Sequence, residues 1–210
     1  MSPSPFQPEH FQRADDGDDG AFYVEPRLVA HIDDQAREAL AAFYRGMLRP
    51  DSDVLDLMSS YHSHLPDDMR FKSVIGLGLN AVEMTENRQL TGHVIHDLNK
   101  TPELPFPDAA FDACLLAVSA QYLVRPIEVF ASIRRVLRPN GTLIVSYSNR
   151  LFPTKAVELW QRVGMADRGR LVSIYCWEAT GFRDVEARDI SPAPGTSDPL
   201  WVVTARRAEA

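Results

Sequence analysis

The chain has 210 residues, of which 45% are hydrophobic and 24% are charged, and its formal net charge is −7. This length suits one large α/β domain with a full core and is short for two. The acidic balance argues against a nucleic-acid partner, which usually requires a basic surface, and no apolar run reaches membrane-spanning length. Because Cys114 and Cys176 lack metal-type spacing and no signal-peptide pattern is present, we expect a cytoplasmic protein without a membrane partner.

The first third of the chain predicts a tail, a helix and a strand. Residues 1–20 hold three prolines and the run ADDGDDG, which predicts a mobile acidic tail before a single domain over residues 21–210. Between Val29 and Met47 apolar residues recur at three- and four-residue intervals, which predicts a helix of about five turns with Pro26 in its first turn. VLDL follows as the predicted first strand.

The next stretch predicts a short crossover and a second strand. The loop after VLDL, residues 58–62, reads MSSYH and has no glycine. About ten residues, SHLPDDMRFK, separate this loop from the strand SVIGLG, so any helix between them is short. A helix follows that strand, for which Asn80 is a good N-cap and Glu83 a capping-box partner three residues later.

Residues 92–149 predict strand, acidic turn, strand, helix and strand. HVIHD is a short β-branched run that ends on Asp97, and the prolines of LPFPDAAFD exclude a helix interior. ACLLAVSA is an apolar run typical of a parallel strand covered on both faces. Pro126 opens a helix with one apolar face. PNG, residues 139–141, is expected to end that helix before the strand TLIVSYS.

The remaining residues predict two helices and two antiparallel strands. Lys155 and Trp160 fall in the first helix, and the second runs from about Arg168 to Ala179. GFRDVEARDI and PLWVVTARR then read as strands joined by the turn-rich SPAPGTSD.

The segment LPFPDAAFD, the apolar strand after it and a helix ending RVLRPNGTL resemble the middle of class I S-adenosylmethionine-dependent methyltransferases, in particular the type 11-like group. The resemblance covers about residues 50–150. It implies an α/β, Rossmann-like fold: a seven-stranded, mostly parallel sheet with helices on both faces and a C-terminal antiparallel hairpin. This agrees with the predicted strands. It also implies S-adenosyl-L-methionine as cofactor and methyl transfer as reaction. We expect a small-molecule acceptor, since the chain is small and has no basic patch; the sequence does not indicate an oligomeric state.

The family binds its cofactor at the carboxyl ends of the strands. The resemblance implies that Asp97 accepts a hydrogen bond from the adenine amino group and that the amide of Leu98 reaches a ring nitrogen. Ala117, Val118 and Ser119 would contact the cofactor from the end of the fourth strand. The other implied cofactor contacts follow the first two strands: Asp56, Met58, Ser59, Ser60, Gly78 and Asn80.

Two positions depart from the family pattern. The loop after the first strand is normally G-x-G-x-G, so that the backbone approaches the cofactor closely. The second strand normally ends on a carboxylate that binds the ribose, and the aligned residue here is Gly78. Asn80 or Glu83 would reach the ribose instead, although helix capping accounts for both without a ligand.

The resemblance places substrate contacts around the cofactor's methyl group. These expected contacts are Tyr23, Gln121, Tyr122, Asn149 and Arg150. If the acceptor carries a proton, four side chains are candidates to remove it: His31, His62, His64 and Tyr122. The sequence does not choose among them. His62 and His64 have no third ligand at a recognised spacing, so we predict no metal site.

Two other functions stay open. Loss of the glycine loop and of the ribose acid favours a non-catalytic binding protein with the same fold. Gly76-x-Gly78-x-x-Ala81 also matches the G-x-G-x-x-G/A fingerprint of NAD(P)- or flavin-binding proteins. That fingerprint usually follows the first strand of its sheet, whereas VLDL precedes it here, so we rank this function below the other two.

Overall fold

The structure, a computed structural model, describes residues 5–209 and has one seven-stranded sheet at its centre. The order across the sheet is β3-β2-β1-β4-β5-β7-β6. The pairings from β3 to β5 are parallel, and β7 is antiparallel to both β5 and β6. The strands are β1 (Asp53–Leu57), β2 (Ser73–Gly78), β3 (Gly92–Ile95), β4 (Phe111–Ala117), β5 (Leu137–Tyr147), β6 (Phe182–Asp189) and β7 (Trp201–Arg207). The predicted fold class is confirmed.

Helices pack around this sheet. They are α1 (Asp19–Phe22), α2 (Asp34–Met47), α3 (Ala81–Glu86), α4 (Pro126–Val136), α5 (Glu158–Arg162) and α6 (Met165–Glu178). No helix interrupts the chain between β1 and β2, so the crossover that was expected to be short has no helix at all. None of the helices in residues 5–209 is long and apolar enough to cross a lipid bilayer.

Apolar side chains alternate along β1 and feed a core on each face of the sheet. Leu55 and Leu57 belong to the core that includes α4 and α6, whereas Val54 belongs to the core beneath α2. Successive strand residues point to opposite faces, so the near-continuous apolar runs of β1 and β4 fill both cores. The central strands are therefore covered on both faces, whereas the edge strand β6 is mostly exposed.

The helix α2 is shorter than its periodicity predicts. It begins at Asp34 because Asp33 is its N-cap, whose Oδ1 accepts a hydrogen bond from the Ala36 amide at 2.8 Å. The amide of Asp33 also donates to Asp198, which fixes where the chain turns into the helix. Pro26 and the residues up to 33 are therefore outside the helix, and the prediction of a five-turn helix is wrong.

Two further boundaries differ from prediction. The strand β5 already begins at Leu137, so the predicted stop at residues 139–141 lies inside it, beside a register shift and with Asn140 at a φ of 63°. Lys155 precedes α5, which holds only five residues and keeps Trp160 buried.

The segment predicted as a mobile acidic tail makes specific contacts from Phe6 onward; residues 1–4 lie outside the described part. Phe11 packs against Tyr175 with ring centroids 6.2 Å apart. Asp19 is buried and accepts two 2.9 Å hydrogen bonds from Arg13. The ammonium of Lys155, almost fully buried, lies 3.1 Å from the same carboxylate. Ion pairs with buried cations thus fix the position of this acidic run, although its composition alone predicts exposure to solvent.

Candidate active site

A large cavity lies at the carboxyl ends of the parallel strands. It encloses about 330 Å³ and opens where β1 and β4 are neighbours, the point at which the strand order reverses. Parallel α/β sheets bind ligands at this switch point, because the loops there diverge to opposite faces and leave a crevice.

All the predicted cofactor residues line this cavity: Asp56, Met58, Ser59, Ser60, Gly78, Asn80, Asp97, Leu98, Ala117 and Val118. The predicted substrate residues Tyr23, Tyr122 and Arg150 line it too. The candidate bases His31, His62 and His64 complete the wall with Arg27 and Ser119 and with three residues that the sequence did not single out for the site: Asp19, Asn99 and Phe152.

Gln121 and Asn149 are not brought to the cavity. Gln121 is 1% exposed, and its Nε2 donates to the Val118 carbonyl at 2.8 Å, so its side chain supports the backbone behind the wall. Asn149 is exposed outside the cavity and accepts a hydrogen bond from Ser148. We therefore remove both from the predicted substrate contacts.

The loop after β1 is held by Asp56 in place of glycines. Its Oδ2 accepts hydrogen bonds from the hydroxyls of Ser59 at 2.6 Å and Ser63 at 2.7 Å. Asn87 adds a bond to Ser63 and another to the Ser60 carbonyl. Asp56 is 2% exposed, and burial raises the pKa of its carboxyl to about 6 despite these two donors. A carboxylate and two hydroxyls thus fix the loop.

The absence of a ribose-binding acid at position 78 and the absence of glycines in the loop after β1 have a common structural cause. The amide of Ser59 donates to the Leu77 carbonyl at 2.9 Å, which lays the loop across the end of β2. A Cβ on Gly78 would stand 2.3 Å from the Ser59 carbonyl oxygen, closer than atoms can approach. A glycine-free loop that takes this path therefore excludes any side chain, including a carboxylate, at position 78.

The dinucleotide-type fingerprint has the same packing explanation. A Cβ on Gly76 would meet Leu90 at 2.6 Å and the Ser59 hydroxyl at 3.1 Å. Protein atoms thus lie against both glycines, a leucine methyl group at Gly76 and a backbone carbonyl at Gly78. The fingerprint is not needed to explain why glycine stands at either position.

Asn80 and Glu83 both have protein partners. Asn80 is the N-cap of α3, accepting from the amides of Val82 and Glu83, while its Nδ2 donates to the Tyr23 carbonyl at 2.8 Å. The carboxylate of Glu83 does not close a capping box. It accepts from the Arg27 amide at 2.7 Å and from the Ser60 hydroxyl. These bonds tie the segment before α2 to the loop after β1 and form one wall of the cavity.

Asp97 and Ser119 lie at opposite sides of the cavity floor. Oδ1 of Asp97 accepts from the Asn99 amide at 2.9 Å, which fixes the turn after β3, and its Oδ2 lies 3.7 Å from the Lys100 ammonium. The hydroxyl of Ser119, after β4, is buried and has no hydrogen-bond partner. A buried polar atom without a partner at a cavity wall indicates a place where a ligand group donates or accepts.

Neutral bases line one side of the cavity. Burial lowers the pKa of His31, His62 and His64, that of His64 to about 3, and each imidazole is therefore uncharged at neutral pH. The rings of His62 and His64 lie 6.1 Å apart. Within residues 5–209 no group of three His, Cys, Asp or Glu side chains is arranged to hold a metal ion.

Tyr122 differs from the histidines. Burial raises the pKa of its hydroxyl, which accepts a hydrogen bond from the Phe152 amide at 2.9 Å. The phenol stays protonated at neutral pH, so it suits orientation of a ligand better than removal of a proton.

The backbone is strained directly after the ends of two neighbouring strands, where the chain reaches the cavity. Met58, directly after β1, has a φ of 54°, and Val118, directly after β4, has a φ of 51°. A β-branched residue in the left-handed region is a true outlier, and such strain persists only where the surrounding structure imposes it, typically at binding sites.

Residues 59–145 match the family model described as a methyltransferase domain. The resemblance to class I methyltransferases is confirmed. The match begins just after β1 and spans the cavity floor from Ser59 to Ser119. The cofactor that this family implies is S-adenosylmethionine. No sequence among curated proteins matches the chain.

Solved structures share the fold at low sequence identity. The cyclase SpnF is similar with a TM-score of 0.63 and 18% identity, over 89% of this chain and 87% of that one. An S-adenosylmethionine-dependent methyltransferase from Aquifex aeolicus has a TM-score of 0.60 and 14% identity, over 83% of this chain and 92% of that one. Another S-adenosylmethionine-dependent methyltransferase, from Mesorhizobium loti, has a TM-score of 0.55 and 16% identity, over 80% of this chain and 98% of that one. At these identities the likeness concerns the fold, and SpnF shows that this fold also occurs in a cyclase.

The cavity fits the adenine half of this cofactor better than the ribose. Asp97 and the unpartnered Ser119 hydroxyl offer polar contacts on either side of an apolar floor that contains Leu98 and Val118. At the ribose position Gly78 offers no acid, and the oxygens of Glu83 are engaged by Arg27 and Ser60.

Proposed function

We propose that this chain transfers the methyl group of S-adenosylmethionine to a small-molecule acceptor. The observation that carries the proposal is the convergence of residues from five strand ends on one cavity, at the switch point of a sheet whose central segment matches a methyltransferase domain. Asp97 and Leu98 would hold the adenine, and the loop from Met58 to Ser60 would lie along the methionyl part.

The protein's task in this reaction is alignment. When bound, S-adenosylmethionine supplies a methyl group on a sulfonium that is already activated, so positioning of an in-line attack provides most of the rate enhancement. Tyr23, Tyr122 and Arg150, on the side of the cavity near the segment after β5, would orient the acceptor. The chain before α2 covers the cavity and limits the access of water.

Where the acceptor must lose a proton, His31 and His62 are the proposed bases. Both are neutral at pH 7 because burial lowers the pKa of each. A pKa of about 3 makes His64 a weak base, and Tyr122 keeps its proton. His31 packs edge-on against Phe152, with 5.7 Å between ring centroids, on the proposed acceptor side.

Calorimetric titration with S-adenosylmethionine, S-adenosylhomocysteine and NADH tests the proposal. We expect the adenosyl compounds to bind and Asp97→Asn to weaken them roughly tenfold or more, because a carboxylate accepts a far stronger hydrogen bond than an amide. The amide oxygen of asparagine keeps the turn bond to Asn99. Asp108→Asn is the matched control, because its exposed carboxylate pairs with Arg135 away from the cavity.

Other outcomes favour the alternatives. Binding of NADH alone would support a nicotinamide protein built on Gly76 and Gly78. Tight binding of S-adenosylhomocysteine without methyl transfer to any acceptor would support the non-catalytic binding protein. The path of Ser59 across Gly78, which removes the usual ribose contact, is the observation in favour of that second candidate. We keep the cytoplasm as the proposed compartment, since both cysteines are buried free thiols.

A further inference from the structure

Arg27 is a partly buried cation in the cavity wall without a carboxylate partner. Its Nη2 donates to the Phe22 carbonyl at 3.0 Å, while its Nη1 is buried and has no hydrogen-bond partner. In residues 5–209 no carboxylate forms an ion pair with this guanidinium. The nearby Glu83 accepts from the Arg27 backbone amide and from Ser60.

Other arginines around the site are paired. Arg13 binds Asp19 at 2.9 Å, and Arg150 binds Asp198 at 2.7 Å. Burying a guanidinium without a counter-ion is costly, because the lost hydration is not replaced. A wall that retains such a group, while its neighbours are neutralised by the protein, indicates that a ligand supplies the anion.

Aromatic rings surround the same guanidinium. Its central carbon lies 4.9 Å from the ring centroid of Phe22, 5.4 Å from Tyr23 and 5.3 Å from Phe152. Tyr122 stacks on Phe152, with 6.0 Å between centroids and 30° between planes. These faces hold the guanidinium in place by cation–π attraction, and they offer flat apolar surface to a ligand that reaches Arg27.

We infer that Arg27 anchors a carboxylate of the methyl acceptor, and that the acceptor is a small carboxylic acid with a planar apolar body. The identification of this ligand as the acceptor rests on the proposed function, whereas the carboxylate site itself does not. The cofactor adds a second cation, its sulfonium, to the same cavity. An anionic acceptor would pair with Arg27 and would also be attracted by the sulfonium.

A carboxylate in this cavity has two possible sources, the acceptor and the methionyl half of the cofactor. Two pairs of probes separate them. Benzoate and benzamide share a planar body and differ in charge. S-adenosylhomocysteine and methylthioadenosine share the adenosine and differ in the amino-acid carboxylate. Each probe is titrated into the full chain, and the benzoate pair is measured with and without S-adenosylhomocysteine.

The variants are Arg27→Met, which keeps apolar bulk against the rings, and Arg27→Lys, which keeps the charge. Arg45→Met is the matched control, because Arg45 pairs with Asp68 on the surface and does not line the cavity. Arg150→Met tests the other cavity arginine. The melting temperature of each variant is recorded, and Arg27→Gln replaces Arg27→Met if the latter does not fold.

We expect the wild type and Arg45→Met to prefer benzoate over benzamide roughly tenfold or more, the usual contribution of a charge-assisted hydrogen bond. Arg27→Met should abolish the preference and Arg27→Lys should keep part of it.

No preference in the wild type, a preference that survives Arg27→Met, or one lost only in Arg150→Met overturns the inference. So does a loss of S-adenosylhomocysteine binding in Arg27→Met with methylthioadenosine unchanged, because Arg27 would then hold the cofactor. A benzoate preference in a wild type that binds no adenosyl compound contradicts the proposed function but leaves the carboxylate site.

Discussion

Asp53 and Asp56 lie at opposite ends of β1, and their surroundings differ in kind. Asp53, at the amino end, accepts from the Ser73 hydroxyl at 2.7 Å and from Lys72 and Arg138 at 3.0 Å each. The hydrogen bond from Ser73, together with these two cations, lowers the pKa of Asp53 to about 2. Asp56, at the carboxyl end, has two hydroxyl donors on one oxygen and no cation, and burial raises its pKa to about 6.

The contrast extends to the neighbouring strands. At the amino end Arg138 of β5 also binds Asp112 of β4, which accepts from the Asp53 amide, so the polar groups satisfy one another. At the carboxyl end the cavity is walled by buried atoms that lack a partner, on Arg27, His64 and Ser119. Polar groups that pair among themselves stabilise the sheet, whereas those left unpaired at the other end are available to a ligand.

The largest effect should come from giving position 78 a side chain. Gly78→Ala places a Cβ 2.3 Å from the Ser59 carbonyl, and backbone cannot yield as a flexible side chain does. We expect a loss of about 3 kcal/mol in the free energy of unfolding, measured by urea titration. Gly78→Asp, which restores the family's ribose acid, should likewise destabilise the fold and weaken S-adenosylhomocysteine binding.

Gly46→Ala is the control for that prediction. Nothing lies within 4 Å of a Cβ at this position in α2, so alanine should stabilise the chain slightly through its higher helix propensity. If Gly78→Ala and Gly46→Ala had the same small effect, the loop after β1 would not lie against β2 as described.

A smaller, pH-dependent effect should distinguish the carboxyl end. Asp56→Asn keeps an acceptor for Ser59 and Ser63 and removes the ionisation. Because the folded pKa of Asp56 is raised, its contribution to stability is fully present below the unfolded value near 4 and is lost as pH rises through about 6. Relative to Asp56→Asn, the wild type should therefore lose about 2 kcal/mol between pH 4 and pH 7. Urea titrations of both proteins at several pH values measure this difference, and a constant difference across this range would contradict the raised pKa.

The sequence predicted those parts of the fold that local pattern determines. The apolar runs of β1 and β4 and the proline that opens α4 were enough to place the parallel core, and the resemblance of LPFPDAAFD and RVLRPNGTL to a known family placed Asp97 at the cavity. Each of those signals consists of a few consecutive residues. They do not depend on which distant segment packs against them.

What the sequence missed depends on long-range partners. The burial of Asp19 requires Lys155, far away in the chain, and a composition-based reading of ADDGDDG has no access to that pairing. The reason for glycine at position 78 is a carbonyl in another loop. The side chain of Gln121 turned inward because the backbone at Val118 required a donor. That the Arg27 guanidinium lacks a carboxylate partner could not be predicted from the sequence, because the partners of a side chain are known only from coordinates.

The smallest of these effects should appear at the amino end. Arg138→Met removes the pairs with Asp53 and Asp112 but leaves Ser73 and Lys72 in place, and the guanidinium is partly exposed, so we expect a loss of only about 1 kcal/mol at pH 7. A carboxylate with a lowered folded pKa contributes stability above its unfolded value and loses it as pH falls towards about 2. In Arg138→Met the loss of stability at low pH should be smaller than in the wild type, because part of the stabilisation of the Asp53 charge has already been removed. Binding of S-adenosylhomocysteine, measured by calorimetry on the same preparation, should stay within about twofold of wild type, since this network and the cavity lie at opposite ends of the strands. A tenfold change in that binding would mean that the two ends of β1 are coupled, and the division between a stabilising end and a binding end would then fail.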